Sequence, residues 1–181
     1  MITTVRDRAD IIATYRFVSV YLMETLARWV PSTPELEVKI LMGRHIWEFA
    51  QHADQFGRRT NELRAAMHYT RQPVAPYLQA LETLAAAPAT GDRIDGFYDV
   101  LLSDLAARYR SYLNETDGMV DEPSVRILER ALTDFDRICR ERDAMRAERP
   151  ELPVSDKTWL ESLRAAVGRV EDAVSYRTGQ E

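Results

Sequence analysis

The sequence predicts an all-α protein, an antiparallel four-helix bundle with an additional C-terminal helix, folded as a single helical-bundle domain over residues 1–181. Three observations carry that expectation. Apolar residues recur at steps of three and four along several long segments, which is the period of one helix face. Only 7 glycines occur, few for a chain that would need the many turns of a β fold. The prolines fall at the ends of the periodic segments, where they start or stop helices.

The first helix is predicted from about Arg8 to Val30, on a stripe of Ile11, Tyr15, Val18, Leu22, Leu26 and Trp29. Pro31 ends it. Thr33 then reads as an N-cap with Pro34 at the first helical position, and the second helix runs to about Ala66. The short link between the two favours an antiparallel hairpin. Residues 70–91 are the least regular part, a crossover in which Pro73, Pro76 and Pro88 bracket a short helix from Tyr77 to Ala86. The third long helix spans about Arg93 to Leu113, with Ile94, Tyr98, Leu101, Leu105, Tyr109 and Tyr112 as its stripe. Asp121 reads as the cap of the fourth, which holds Pro123 in its first turn and continues to about Glu148 on Ile127, Leu128, Ala131, Leu132, Phe135 and Ile138. Ser155 or Asp156 caps the last helix, through about Tyr176, and the tail from Arg177 to Glu181 is expected to fray.

Composition narrows the function classes. Hydrophobic residues make up 45% and charged residues 29%, which excludes global disorder. A net charge of −5 argues against a general nucleic-acid binder, whose footprint is basic. The single cysteine, Cys139, permits no intramolecular disulfide and sits on an apolar helix face, as an inert buried thiol does. The segment Met1 to Asp10 has no apolar run of signal-peptide type, and no uninterrupted apolar stretch of about 18 residues occurs, so a cytoplasmic protein without a membrane partner is expected. Nucleophile motifs, glycine-rich phosphate loops and zinc cysteine clusters are absent, so no nucleotide cofactor is expected.

One cluster carries chemistry. At about 100° per residue, Val38, Leu41, Met42, Phe49, Phe56 and Leu63 share one arc of the second helix, and His45, Glu48 and His52 fall in the same arc. Imidazoles and a carboxylate are the usual ligands of iron, zinc and manganese, and they are costly in an apolar stripe unless bonded to something. On the first helix Glu24 interrupts a second apolar line of Phe17, Val20 and Ala27. In an antiparallel hairpin it is expected at a height similar to His45, either as a further carboxylate for the same site or simply as a partner for a histidine. The competing reading is a purely structural His–Glu network. Tyr98, Tyr109 and Tyr112 read as core fillers with hydroxyls at the rim, and the run Arg137, Arg140, Arg142, Arg146 as a solvated, salt-bridged face.

The segment from Gly43 to Asp54, followed by Arg58, Arg59, Glu62 and Leu63, resembles the second helix of ferritin-like proteins. That resemblance implies a four-helix bundle holding iron or manganese, with a lone carboxylate from one helix and a Glu-x-x-His pair from the next. Glu24 would match the lone carboxylate, and Glu48 with His52 the pair. Here Glu48 and His52 stand four apart, the position three on is Gln51, and the fourth helix has no histidine. These departures imply a single metal ion, or a site lost while the fold remained, in place of a dinuclear centre.

Two functions are therefore expected from the sequence. The first is a metal-dependent oxidoreductase acting on a small organic substrate, with His45, Glu48, His52 and Glu24 around one iron or manganese ion. The second is a non-catalytic bundle that works through association with another copy or another protein, in which apolar residues left over on the first helix, such as Ile12, Met23 and Val30, would make a homodimer face.

Overall fold

Stripes of this period become helices wherever proline allows, and the computed structural model, which describes residues 4–177, is helical through most of its length. Helix α1 (Val5–Ser32) opens on Thr4, whose Oγ1 accepts the Asp7 N–H at 3.0 Å. Its end corrects the sequence reading. Pro31 lies inside the last turn, and Thr33 closes α1 by donating its hydroxyl to the Trp29 carbonyl at 2.9 Å; it does not cap the second helix. An orphan carbonyl at a helix end is thereby satisfied. Helix α2 (Leu36–Glu62) stops short of Ala66, where the backbone turns left-handed at Arg64 (φ 61°).

After α3 (Ala75–Ala85), the helices α4 (Thr90–Asp95) and α5 (Ser103–Glu115) are joined without a break by a π-helical segment, Gly96–Leu102. Helix α6 (Glu122–Glu148) matches its predicted bounds closely, with proline in the first turn. Helix α7 (Lys157–Gly168) is capped by the Asp156 carboxylate, which accepts the Trp159 N–H at 2.8 Å. It ends well before Tyr176. Beyond Gly168 the chain becomes a strap instead: Val170 O accepts from Arg108 at 2.6 Å, Ala173 O accepts the Val74 N–H at 2.9 Å, and Val174 forms an antiparallel bridge with Pro73. Of the tail expected to fray, Arg177 is held on the buried Asp10 at 2.8 Å, and residues 178–181 lie outside the described residues.

α1 packs on α2, α2 on α6 and α6 on α5, and Tyr15 of α1 meets Tyr109 of α5 with ring centroids 4.7 Å apart. An aromatic spine crosses this helical bundle: Tyr109 stacks on Phe135, Phe135 on Phe49, and Phe49 meets Phe97 edge-on. Ile12, predicted to be left over for a dimer face, is part of this core, while Met23 and Val30 are half-buried against it. The π-helical segment is enclosed on nearly every side. All its residues except Asp99 are buried, because the bundle covers one side and α3 and α7 cover the other. That second layer comes close: a β-carbon at Gly91 would lie 2.4 Å from the Val154 backbone, and one at Gly96 would lie 2.8 Å from the Trp159 ring. Among the described residues, no helix is long and apolar enough to cross a membrane.

One end of the bundle is tied by a buried charge. Asp121 bears no capping bond to its own helix; its carboxylate instead accepts from Arg59 at 2.7 Å, Ser124 at 2.7 Å, Thr116 at 3.0 Å and the Tyr112 hydroxyl. Burial alone would push this carboxyl up, but the four hydrogen bonds outweigh it and hold it below the usual aspartate range. Its stabilisation is therefore present above the ordinary aspartate pKa and lost as pH falls through and below that value. Asp121→Asn is expected to lower the unfolding free energy by about 3 kcal/mol at pH 7, because it leaves the buried Arg59 with only the exposed Glu62 as counter-ion and Tyr112, Thr116 and Ser124 without a charged acceptor. Urea denaturation checks this, and the difference from the parent is expected to shrink as the pH is lowered towards acid.

Candidate functional site

The apolar arc of α2 faces α6 and the π-helical segment, and it carries His45, Glu48 and His52 to that seam. Across the seam, α6 runs in the opposite direction and presents Asp134, Arg137 and Glu141, whose steps of three and four also span seven residues, so that read against α2 they come at four and three. The two ladders match rung for rung. His45 Nε2 lies 3.3 Å from Glu141 Oε2, Glu48 Oε1 accepts from Arg137 at 2.8 Å, and His52 Nε2 lies 3.0 Å from Asp134 Oδ2. Farther along the same register, Arg149 of the C-cap pairs with Glu37.

Arg137 is the hub. Its guanidinium donates to Glu48, to Asp134 at 3.2 Å and to Glu141 at 2.9 Å, so one cation serves three carboxylates. The Asp134 carboxyl is held below its usual range, first by the hydrogen bond from His52 and then by Arg137. Burial pushes Glu141 up, yet bonds from Arg137 and His45 bring it below the ordinary value. Both carboxylates are therefore ionised at neutral pH, which fixes the proton on His45. Nε2–H donates to Glu141, leaving Nδ1 to accept the Tyr98 hydroxyl at 2.7 Å. Tyr98 reaches this position from the π-helical segment, and burial pushes its hydroxyl far up, so it remains a donor. On His52 the second ring nitrogen, Nδ1, is buried with no hydrogen-bond partner.

The seam thus unites three of the four residues picked out in the sequence and omits the fourth. Glu24 is exposed on α1, and the line it interrupts is the outer face of that helix; the buried face holds Leu22, Thr25, Leu26 and Trp29. Asp134, Arg137 and Glu141 were missed as partners because they flank the apolar stripe of α6 and do not break it. Their matching spacing was the available signal. The arginine run is also less solvated than its pattern suggests. Arg142 is buried, donating to Asp99 and Asp143 at 2.7 Å each, and Arg146 pairs with Asp95. Cys139 is half-buried, and burial raises its thiol.

Among the described residues, no group of three or more His, Cys, Asp or Glu side chains is arranged to hold a metal ion. One oxygen each of Glu48, Asp134 and Glu141 faces the Arg137 guanidinium, and the other oxygens of Asp134 and Glu141 face the imidazoles of His52 and His45. No known protein family, curated protein or solved structure matches the chain.

Burial lowers the pKa of His45 to about 4, against raising contributions from Glu141. Between about pH 6.5 and pH 4 the unfolded chain therefore takes up a proton at this residue that the folded chain refuses, and folding weakens as pH falls through that window. His45→Gln removes the effect. Between pH 7 and pH 4 the parent is expected to lose about 3 kcal/mol more stability than this variant, measured by denaturant titration at stepped pH. Parallel pH profiles for the two proteins would contradict the neutral, buried assignment of His45.

Proposed function

We propose that this chain is a helical bundle of ferritin-like form that works by association, with the group of His45, Glu48 and His52 acting as a structural polar network in place of an iron or manganese centre. The observation that carries this reading is the guanidinium of Arg137 set among Glu48, Asp134 and Glu141. A divalent ion at that point would displace the arginine's bonds and then face its charge at close range. Four long helical rods with a short α1–α2 connection agree with the ferritin-like form. A half-buried network of this kind fixes one helix register, which suits a scaffold that must present a defined outer surface.

The experiment is anaerobic incubation of the untagged protein with ferrous or manganous ion, desalting, and elemental analysis. The reading expects retained metal far below one equivalent. Stoichiometric iron or manganese that is lost in a folded His45→Ala, His52→Ala variant would overturn it and restore the oxidoreductase. In parallel, Arg137→Met leaves three carboxylates facing one another. Because Arg137 is partly exposed, water screens the repulsion, and the expected loss is about 1–2 kcal/mol, read as a lower melting temperature at neutral pH that recovers partly as the carboxylates are protonated.

A further inference from the structure

We infer that the partner is a second copy of this chain, bound through the outer face of α2 with Gly43 close to the twofold axis; this rests on the association reading above. While the inner face of α2 holds the polar seam, its outer face carries large apolar residues in one line: Leu36 is 64% exposed, Ile40 50% and Trp47 64%. No other helix leaves so many large apolar side chains uncovered among the described residues. Gly43 stands in the same line between Ile40 and Trp47, in mid-helix, and a β-carbon built there meets nothing within 4 Å. Nothing inside the protomer needs a glycine at that point, and glycine is among the costliest residues in a helix interior. A second helix backbone crossing there does need the space.

The area suits a pair of copies. With about 200–250 Å² for each large side chain when fully exposed, the three residues offer roughly 400 Å² of mostly apolar surface per copy. A standard interface covers about 800 Å² per partner, somewhat over half of it apolar. These three side chains supply most of that apolar share. The pattern is also self-complementary. Ile40 and Trp47 lie about 10.5 Å apart on either side of the Gly43–Arg44 step. A twofold axis through that step reverses the helix and sets Ile40 of each copy against Trp47 of the other. The contact closes on itself and stops at two copies.

The mass of the full chain in solution, by sedimentation or light scattering over a range of concentrations, tests this beside Trp47→Glu and Gly43→Leu. Both positions are exposed, so each variant should keep the parent's helical content, and Gly43→Leu, which removes a mid-helix glycine, should be no less stable as a monomer. The parent is expected to be a dimer, and Trp47→Glu to weaken it by at least about 30-fold, the loss typical of a central aromatic contact. Gly43→Leu, which adds apolar surface but fills the crossing point, is expected to weaken it also; a general stickiness of the face would instead be strengthened. A dimer indifferent to both changes uses another surface and overturns the proposal. A parent monomeric at every concentration leaves the face to a different partner and overturns it as well. The metal assay separates the two layers: a metal-free monomer removes the second copy and leaves the reading of the seam intact, whereas a stoichiometric metalloprotein removes the reading beneath it.

Discussion

The guanidinium of Arg137, bonded to carboxylates on two helices, is the constraint on which the rest of the bundle depends. An apolar seam can slide by a turn and repack at modest cost, but this one cannot. Shifting α6 along α2 by one turn would part His45 from Glu141 and His52 from Asp134 together, leaving buried imidazoles and ionised carboxylates without partners. The imidazole of His45 is satisfied on both nitrogens only because Tyr98 arrives from a third element. Register, tautomer and the placing of the π-helical segment are therefore one problem with one solution.

That solution is pinned from outside as well. At one end Asp121 gathers Arg59, Ser124, Thr116 and Tyr112, which joins α2 to α6 and to the end of α5. Elsewhere Asp10 holds the last described residue, Arg177, and Arg108 grips the strap through the Val170 carbonyl. The second layer of α3 and α7 presses on the π-helical segment, where Gly96 allows close approach of the Trp159 ring, and Gly91 of α4 does the same for the backbone at Val154 that leads into α7. Enclosure on both sides explains why a stretch with almost no polar face is tolerated there.

The proposed function rests on the two sides of α2. One side spends its histidines and glutamate on internal order, and the other leaves leucine, isoleucine and tryptophan in water around a glycine. A rigid inner seam makes the outer line a fixed template, since residues on one helix keep their spacing only while the helix itself is held. The catalytic reading asked the inner face to bind a cation. In the association reading, the Arg137 guanidinium takes that place.

The sequence by itself determined the helical class, the positions of the long helices and the buried arc of α2, because those follow from a 3.6-residue period and from proline, both local properties. It also singled out His45, Glu48 and His52, since polar groups inside an apolar stripe are conspicuous in one dimension. The tertiary structure decided their partners. Asp134, Arg137 and Glu141 sit at the edge of their own stripe, and an edge faces either solvent or a neighbouring helix according to how the helices are set side by side. The same holds for Glu24, placed on the outer face of α1, and for Thr33, taken up by the helix before it. It holds too for the chain after Gly168, where bonds from Arg108 and Val74 hold an extended strap in place of a further turn of helix. Periodicity reports which way a side chain points from its own axis, and only packing reports what it meets.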